Sequence, residues 1–378
     1  MEKHNKIRNL ILAIVFLLFI FGFAVAGLVQ KDREFSEMEN RNLAQFPEFS
    51  FDSLKSGDFT AGIESYMSDQ VFLKDNLVSL KTDCERAVLK SYQNGVYFGE
   101  DGYYLQQYTE NKMQIDKNIG YINEWAEGLD EGIAINFMLV PNSISVNADK
   151  LPALSVNDDQ QKSVEYIQQA LSDRIELFNA YDSLKMASDG GKQVFYKTDH
   201  HWTDEGVRAV FEYFTGTKIG NDYDATIIRD DFYGTLYSKA PSALTKAETM
   251  VLPRHSDKNY TVNYVKENKV ADSLIDESFL DKKDKYASFL GGNFSRVDIS
   301  SEGCATDKKV LILKDSYANA MMPYLADYYS EIVMVDLRYY HMEAQTVAEL
   351  VQSEGIDEVL MIYNMDFINT DNNFLWLD

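Results

Sequence analysis

An apolar stretch without charged residues runs from Leu10 to Val29 near the start of the chain. Its length matches the roughly 20 residues that a helix needs to cross a bilayer. Lys3, Lys6 and Arg8 precede it, which favours a cytoplasmic N-terminus and an extracytoplasmic remainder. The run is longer than the apolar core of a cleaved signal peptide, and no clear small-x-small site follows it. We therefore expect residues 1–30 to form a cytoplasmic stub and an uncleaved, single-pass signal anchor in the cell membrane.

Four later segments are almost continuously apolar, which is typical of strands buried on both faces of a sheet. They cover residues 133–140, 308–315, 331–337 and 357–364. Helical periodicity fills the gaps between the last three, at 317–329 and 342–353. Strand–helix–strand repeats of this kind predict right-handed crossovers and a parallel sheet flanked by helices, an α/β fold.

The rest of the chain has mixed patterns. Helical spacing marks 72–89, 113–125 and 160–178, aromatic residues around a Gly-Glu-Asp-Gly turn predict a hairpin, and "QVFYKTD" resembles a short strand. Thr203 can cap a helix that ends near Gly216. From about 220 to 303 the pattern weakens into short alternating pieces, which indicates an inserted irregular or β-rich lobe. We expect an N-terminal helical and hairpin segment at 31–110 that packs on a catalytic domain at 111–378.

Composition narrows the classes of function. The 378 residues carry a formal net charge of −24, which argues against a basic groove for nucleic acid. A polymer handled by this chain is expected to be neutral or cationic. The two cysteines, Cys84 and Cys304, have no CxxC spacing and could form one disulfide.

Ser316 is a candidate nucleophile. It follows the predicted strand "VLILKD" and begins a helix, and in a parallel sheet ligands bind beyond the carboxyl ends of the strands. A hydroxyl there lies beside a helix N-terminus, where developing negative charge is favoured. The alternative is that Ser316 only caps the helix.

The sequence "TDHHW" supplies a candidate base. If the chain is extended there, Asp199 and His201 point to one side and His200 to the other. A serine needs a base, and imidazole oriented by a carboxylate can act as one, so Ser316, His201 and Asp199 match the three roles of a catalytic triad. Zinc would need three or four ligands, and no further Cys/His cluster is evident, so we expect no metal.

Two residues at other strand ends could complete the site. The amide of Asn364 could stabilise an oxyanion, and Arg338 could orient oxygen atoms of a substrate. A surface ion pair is the alternative role for Arg338.

At these residues the chain resembles the DHHW family, relatives of the alginate O-acetylation proteins in the SGNH-like hydrolase superfamily. The motifs that carry the resemblance occur in the family's order and are "FSEMENRNLAQFP", "YMSDQVFLKD", "VYFGEDGYYL", "TDHHWT" and "LKDSYANAMMPYL". The resemblance implies an SGNH-like core and a triad of Asp199, His201 and Ser316, with His200 and Trp202 supporting the site. The serine lies in Lys-Asp-Ser, where the wider superfamily has Gly-Asp-Ser.

The resemblance also implies transfer of acetyl groups to an exported or cell-surface polysaccharide, through an acetyl-serine and without a bound cofactor. A polytopic membrane-bound O-acyltransferase would deliver the acetyl group across the membrane. Two alternatives remain open at this point, a carbohydrate acetyl esterase that uses the same triad and a noncatalytic polysaccharide-binding or scaffold subunit.

Overall fold

The computed structural model of the protein describes residues 2–220, 222–341 and 343–377. The chain forms two compact units. The first comprises the chain up to Lys90 together with Ala240–Thr245, and the second comprises Ser91–Lys239 and the chain from Lys246 onward.

The first unit contains the N-terminal apolar helix and three shorter helices. Its elements are α1 (Glu2–Val29), β1 (Phe35–Ser36), β2 (Arg41–Asn42), α2 (Phe51–Ser56), α3 (Asp58–Asp69) and α4 (Lys74–Ala87). Within α1, Asn5–Gly27 is long and apolar enough to cross a membrane, and none of it is buried in the protein. The predicted N-terminal apolar helix is therefore present, with a length and composition consistent with a single membrane span.

Buried polar contacts hold the first unit together beyond α1. Asp69 accepts two hydrogen bonds from the Arg41 guanidinium, at 2.6 and 2.8 Å, and one from Lys74 Nζ at 2.7 Å. These charges keep the pKa of Asp69 well below its usual range, against the opposing effect of burial. A carboxylate held by two cations ties the β1–β2 hairpin to the start of α4.

The second unit alternates strands and helices. Its elements are β3 (Tyr92–Gln93), β4 (Val96–Phe98), β5 (Tyr104–Gln106), α5 (Lys112–Gly128), β6 (Ala134–Val140), α6 (Ser143–Val146), α7 (Gln160–Ala170), β7 (Ile175–Asn179), α8 (Tyr181–Asp189), α9 (Asp204–Thr215), β8 (Ile227–Phe232), α10 (Thr235–Lys239), β9 (Glu248–Leu252), β10 (Tyr260–Tyr264), β11 (Lys269–Ala271), β12 (Arg296–Ser301), β13 (Thr306–Lys314), α11 (Tyr317–Tyr328), β14 (Tyr329–Val335), α12 (Leu337–Tyr340), α13 (Val347–Glu354), β15 (Glu358–Asn364) and α14 (Met365–Thr370).

An eight-stranded sheet in the order β11-β10-β12-β14-β13-β15-β6-β7 is the centre of this unit. The five strands from β14 to β7 are parallel, and β12, β10 and β11 extend them in antiparallel pairs. The predicted α/β fold, a parallel sheet flanked by helices, is confirmed. The carboxyl ends of β13, β14, β15 and β6 share one edge, which is where Ser316, Arg338 and Asn364 follow their strands.

Side chains alternate between two hydrophobic cores, one on each face of the sheet. On β13, Val310 and Ile312 belong to one core, whereas Leu311 and Leu313 belong to the other. All four are fully buried. A strand covered by helices on both sides has no solvent face, and this explains the continuous apolar runs in the sequence.

Two local predictions were wrong. Residues 160–178 do not form one helix, because α7 ends at Ala170 and β7 begins at Ile175. The region 220–303 is not a separate lobe throughout, since β10, β11 and β12 belong to the main sheet. The two cysteines, whose pairing the sequence left open, are free thiols.

Candidate active site

The segment Lys197–His201 is a tight turn and not the predicted strand. Phe195 and Trp202 form an isolated antiparallel bridge across it, and Tyr196 N–H donates to the His201 carbonyl at 3.2 Å. Glu248 fixes the turn from outside, because its carboxylate accepts from the backbone N–H groups of Lys197 and Thr198, both at 2.7 Å. The turn therefore comes from backbone hydrogen bonding to a carboxylate distant in sequence.

Asp199, His201 and Ser316 form a continuous hydrogen-bonded chain. His201 Nδ1 lies 2.5 Å from Asp199 Oδ1, and His201 Nε2 lies 2.8 Å from Ser316 Oγ. Asp199 Oδ1 also accepts the His201 backbone N–H at 2.9 Å, an Asx-type turn that brings the two residues together without an extended chain. Asp199 and His201 are 1% and 5% exposed, so the carboxylate and the imidazole of this relay are both buried.

The second oxygen of Asp199 is held by α10. Asp199 Oδ2 accepts from Thr235 N–H at 2.7 Å and from Thr235 Oγ1 at 3.0 Å. Gly234 lets this backbone approach, since a Cβ there would lie 2.2 Å from Asp199 Cβ. Burial raises the pKa of Asp199, but the neighbouring histidines and the Thr235 hydrogen bond outweigh it and lower the pKa below its usual range. Asp199 is therefore an ionised carboxylate in an interior position.

His200 lies beside His201 rather than on the opposite side, as the extended-chain argument predicted. The two ring centroids are 3.8 Å apart, and His200 Nδ1 is 2.6 Å from Thr235 Oγ1. The turn rotates both side chains to the same side of the backbone. Burial and the adjacent His201 lower the pKa of His200, so this ring is neutral near physiological pH.

Trp202 and Tyr317 tie the histidine turn to the serine turn. The Trp202 indole N–H donates to the Tyr317 carbonyl at 3.0 Å, and the Tyr317 hydroxyl donates to the His200 carbonyl. Both aromatic side chains are fully buried. The two segments that carry the relay thus bind each other reciprocally through Trp202, Tyr317 and the His200 carbonyl.

Ser316 begins α11 but does not cap it with its side chain. It has helical backbone angles, and its hydroxyl makes no cap hydrogen bond and instead meets His201. The turn is capped by Asp315, whose Oδ1 accepts from Tyr317 N–H at 2.8 Å. The alternative that Ser316 is an ordinary N-cap therefore does not describe the structure.

Asn364 is used to hold this turn. Its amide nitrogen donates to Asp315 Oδ2 at 2.5 Å, its backbone N–H donates to the same oxygen at 2.7 Å, and its side-chain oxygen caps α14. The structure thus differs from the predicted oxyanion contact, because the amide of Asn364 is directed at Asp315.

Arg338 lies at the same sheet edge and is fixed by Asp336. Its Nε and Nη2 donate to the two oxygens of Asp336 at 2.8 and 2.6 Å. Asp336 also faces Lys314 Nζ at 3.3 Å, and both side chains of that pair are completely buried. Lys314 further donates to Asn293 and Asn319 at 2.6 and 2.9 Å. Arg338 is therefore oriented in a charged network behind the serine turn.

Tyr286 stacks on one face of the His201 ring. The two rings are stacked, with centroids 3.6 Å apart and planes 9° from parallel. Tyr286 is 5% exposed, and among the described residues its buried hydroxyl has no hydrogen-bond partner. The contact with His201 is therefore made by the ring and not by the hydroxyl.

Three side chains of the same cluster are potential metal ligands. Asp199, His200 and His201 place three potential ligand atoms within 4.8 Å of one another. Both carboxylate oxygens and both His201 nitrogens already take part in hydrogen bonds within the protein. A metal ligated by His201 would have to displace Ser316 or Asp199, so the relay accounts for the arrangement of these side chains.

Four residues that shape the site carried no recognisable signal in the sequence: Gly234, Thr235, Glu248 and Tyr286. They lie outside the five motifs, in the region read as an irregular insertion. A buried carboxylate at Asp199 needs a second hydrogen-bond donor, which can be a hydroxyl or a backbone N–H. The sequence does not indicate which residue supplies it.

One family model and several solved structures are similar to this chain. The sequence model of the DHHW protein family matches residues 82–335. A search of curated protein sequences gives no match.

Comparison with solved structures gives several matches. A DHHW family protein from Eubacterium siraeum is 23% identical, with a TM-score of 0.62 over 75% of this chain and 94% of its own. Bacillus cereus PatB1, in a structure with a sulfonyl adduct, is 21% identical, with a TM-score of 0.62 over 74% of this chain and 97% of its own. The O-acetyltransferase domain of Pseudomonas putida AlgJ is 14% identical, with a TM-score of 0.45 over 74% and 93%.

Proposed function

The chain belongs to the DHHW family, and from that premise we propose that it is a membrane-anchored O-acetyltransferase that acts through an acetyl-serine at Ser316. One observation carries the proposal. His201 Nε2 lies 2.8 Å from the serine hydroxyl while its Nδ1 faces a buried carboxylate at 2.5 Å. Nucleophile, base and orienting acid are thus within hydrogen-bond reach of one another, the arrangement that serine acyl transfer needs.

In the first half-reaction, His201 Nε2 accepts the proton of the Ser316 hydroxyl as Oγ attacks the carbonyl carbon of the acetyl donor. The negative charge that develops on the carbonyl oxygen lies beside the Ser316 N–H at the N-terminus of α11, a favourable position for an anion. His201 then returns the proton to the leaving group, and the acetyl group remains as an ester on Ser316. In this proposal the Ser316 N–H takes the oxyanion role first assigned to Asn364.

In the second half-reaction, a sugar hydroxyl gives its proton to His201 and attacks the acetyl-serine carbonyl. The ester bond to Ser316 breaks, the serine oxygen regains a proton from His201, and the acetylated sugar leaves. Asp199 stabilises the imidazolium in both halves and fixes the tautomer that presents Nε2 to the serine. Arg338, held by Asp336, is proposed to orient oxygen atoms of the acceptor.

The partners follow from this chemistry. A net charge of −24 disfavours a polyanionic acceptor, so we propose a neutral or cationic polysaccharide outside the cytoplasm. If the catalytic unit faces outward, acetyl-CoA remains on the other side of the membrane. A polytopic acyltransferase that passes acetyl groups across is the donor partner that this topology requires.

The test uses the full-length protein in detergent micelles with a chromogenic acetyl ester, with and without neutral oligosaccharide acceptors. We expect acetylated sugar and an acetyl adduct on the Ser316 peptide, both abolished by Ser316→Ala. Ser300→Ala, at an exposed position on β12, is the matched control and retains activity. Ester loss without sugar acetylation indicates an esterase, and activity that survives Ser316→Ala contradicts the proposed triad.

A covalent probe gives an independent readout. The PatB1 structure carries a sulfonyl adduct, and sulfonyl fluorides react with activated hydroxyl nucleophiles. We expect such a reagent to label Ser316 in the wild type and to fail in His201→Ala, in which the serine remains but its base is missing. Equal labelling of both proteins would contradict the role of His201.

A further inference from the structure

Helix α4 turns its apolar side outward. Leu77, Leu80 and Cys84 follow one another at intervals of three and four residues, so they line one face of the helix, and Leu73 and Val88 flank its two ends. The exposed fractions of the four aliphatic side chains are, in chain order, 48%, 39%, 57% and 78%, and Cys84 is exposed too. The helix buries Ser79 and Thr82 instead. In water this is the reverse of the usual amphipathic arrangement.

The polar side of α4 is fastened to its own unit. Ser79 Oγ contacts Met38 Sδ at 3.4 Å, and Arg86 Nη1 donates to Ser242 Oγ at 2.9 Å. Asp83 accepts the Ala243 N–H at 3.1 Å. The helix is therefore fixed in its rotation, and the apolar face is held outward by specific polar contacts on the other side.

The start of α4 lies at the level of the membrane-spanning segment. The Phe72 ring contacts Phe23 edge-to-face, with centroids 5.5 Å apart, and Gln30 Nε2 donates to the Gln70 carbonyl at 3.0 Å. Phe23 precedes Gly27, the last residue of the apolar segment, by four residues, or about 6 Å along the helix. When α1 spans the bilayer, Phe72 must lie within the hydrocarbon boundary on the side of the remaining chain.

The residues around Phe72 fit that position. Val71 and Leu73 are 38% and 48% exposed, and Leu73 has a left-handed backbone with φ 55°, an unfavourable conformation for leucine. In an aqueous loop such a turn would cost conformational energy and expose apolar surface. In lipid the same exposed side chains gain favourable contacts.

Aromatic residues surround the point where the chain leaves α1. Phe46 is 61% exposed and packs on Tyr66, with ring centroids 5.3 Å apart. The Tyr66 hydroxyl donates to Asp32, three residues after α1 ends, at 2.9 Å. Tyrosine with an apolar body and a polar tip suits the headgroup region of a membrane.

We infer that the turn Val71–Leu73 and the apolar face of α4 insert into the boundary between headgroups and acyl chains, as a second membrane contact of the first unit. The partner is the lipid surface itself. Continuity with the span at Phe23 favours lipid over another copy of the chain, because that contact fixes one end of the apolar face at bilayer depth. The first unit is then held at the membrane both by α1 and by this second contact, instead of by a flexible tether.

The test reads the depth of Cys84 in full-length protein. Cys304→Ser leaves Cys84 as the only thiol, which is labelled with bimane in nanodiscs of phosphatidylcholine and phosphatidylglycerol. Nitroxide-bearing lipids and aqueous iodide then compete as quenchers. Lys162→Cys, on the exposed side of α7 in a background without other cysteines, is the matched control that reports solvent.

We expect lipid-borne nitroxide to quench the Cys84 label at least about twofold more strongly than the control label, with little effect of iodide. Quenching of Cys84 by iodide alone overturns the proposal. If neither quencher reaches Cys84 and a short bismaleimide joins two chains there, the face is an interface between copies. Protection from both quenchers without that crosslink places another protein on the face and also overturns the proposal.

Discussion

Helices α4 and α11 are similar in length but opposite in the side chains that they bury. Ten of the twelve residues of α11 are buried, including Leu325 and the proline at 323, whereas α4 buries only Ser79 and Thr82 of its fourteen. α11 lies in the second unit, where apolar side chains avoid water by packing on the sheet. α4 belongs to the unit that carries the membrane span, where the surrounding medium is proposed to be lipid. The comparison shows that hydrophobic periodicity identifies a helix but not the medium that its apolar face meets.

The two regions also treat polar groups differently. Around α11 the buried polar atoms of Asp199, Asp315 and Asn364 have partners at 2.5 to 3.1 Å, which is the condition for retaining them in an interior. On α4 polar contacts fix the helix to its unit and leave the apolar side outward. The same kind of hydrogen bonding therefore has two effects. It fixes the side chains of the site, and it holds the apolar side of α4 outward.

The largest effect is expected at the relay beside α11. Asp199→Asn should reduce acetyl transfer about 10³- to 10⁴-fold, because an amide cannot accept all the hydrogen bonds and favours the wrong His201 tautomer. Steady-state turnover of the acetyl ester measures this, with Asp189→Asn at an exposed position as control. A loss of less than tenfold would contradict the role of Asp199 in orienting the base.

A paired substitution tests the helix comparison directly. Leu325→Ala on α11 removes a fully buried side chain and should lower the free energy of unfolding by about 3 kcal/mol. Leu80→Ala on α4 removes a side chain that is 57% exposed and should change it by less than about 0.5 kcal/mol in micelles. Chemical denaturation followed by fluorescence gives both values, and equal losses would break the distinction between the two faces.

Substitution of Tyr286, which stacks on His201, should have a smaller effect on activity, and only when the aromatic ring is lost. Tyr286→Leu should lower kcat about tenfold, because the flat surface that holds the His201 ring is lost and small misplacements of a base are costly. Tyr286→Phe keeps the ring and removes a hydroxyl that has no partner among the described residues, so it should keep activity and stability. Equal loss in both variants would indicate that the hydroxyl, and not the stacking, matters.

The smallest expected effect concerns acid stability. The pKa of His200 is lowered in the folded protein, so the unfolded chain binds more protons below the ordinary histidine pKa of about 6.5. Stability should therefore fall as pH decreases from about 6.5, and the pKa shift of Asp199 adds a loss of the same sign at pH values below about 4.

His200→Asn keeps a polar atom near Thr235 but removes this titration. Its slope of unfolding free energy against pH between 6.5 and 5 should be shallower by less than about 1.4 kcal/mol per pH unit, since His200 is partly exposed. Thermal unfolding at several pH values measures the slope. An unchanged slope would show that another group controls acid sensitivity.

The sequence predicts secondary structure where apolar side chains recur at short intervals, and it predicts site residues where motifs contain reactive side chains. Four strands of the parallel sheet were predicted within a few residues, because β6, β13, β14 and β15 each contain a nearly continuous apolar run. β7 was missed because "IELFN" continues the helical spacing of α7, and a short apolar run does not by itself distinguish helix from strand.

The residues of the relay were chosen from motif and position, and the structure brings Asp199, His201 and Ser316 together. The reason given for the closeness of Asp199 and His201 was wrong, because a turn and not an extended strand aligns them. Thr235 and Glu248 act from 36 and about 50 residues away through a few hydrogen bonds each. Contacts of this kind depend on the path of the chain between them and leave no periodic trace.

Two reciprocal hydrogen bonds, from Trp202 to the Tyr317 carbonyl and from the Tyr317 hydroxyl to the His200 carbonyl, have a consequence for engineering. Neither the histidine segment nor the serine segment is a portable module, because each supplies a hydrogen-bond partner that the other needs in the interior. If a chimera exchanges only one of the two segments with that of a distant relative, the hydrogen bonds that join the segments beside His201 and Ser316 are mismatched. Recombination designs should therefore move residues 195–203 and 314–319 as a single cassette.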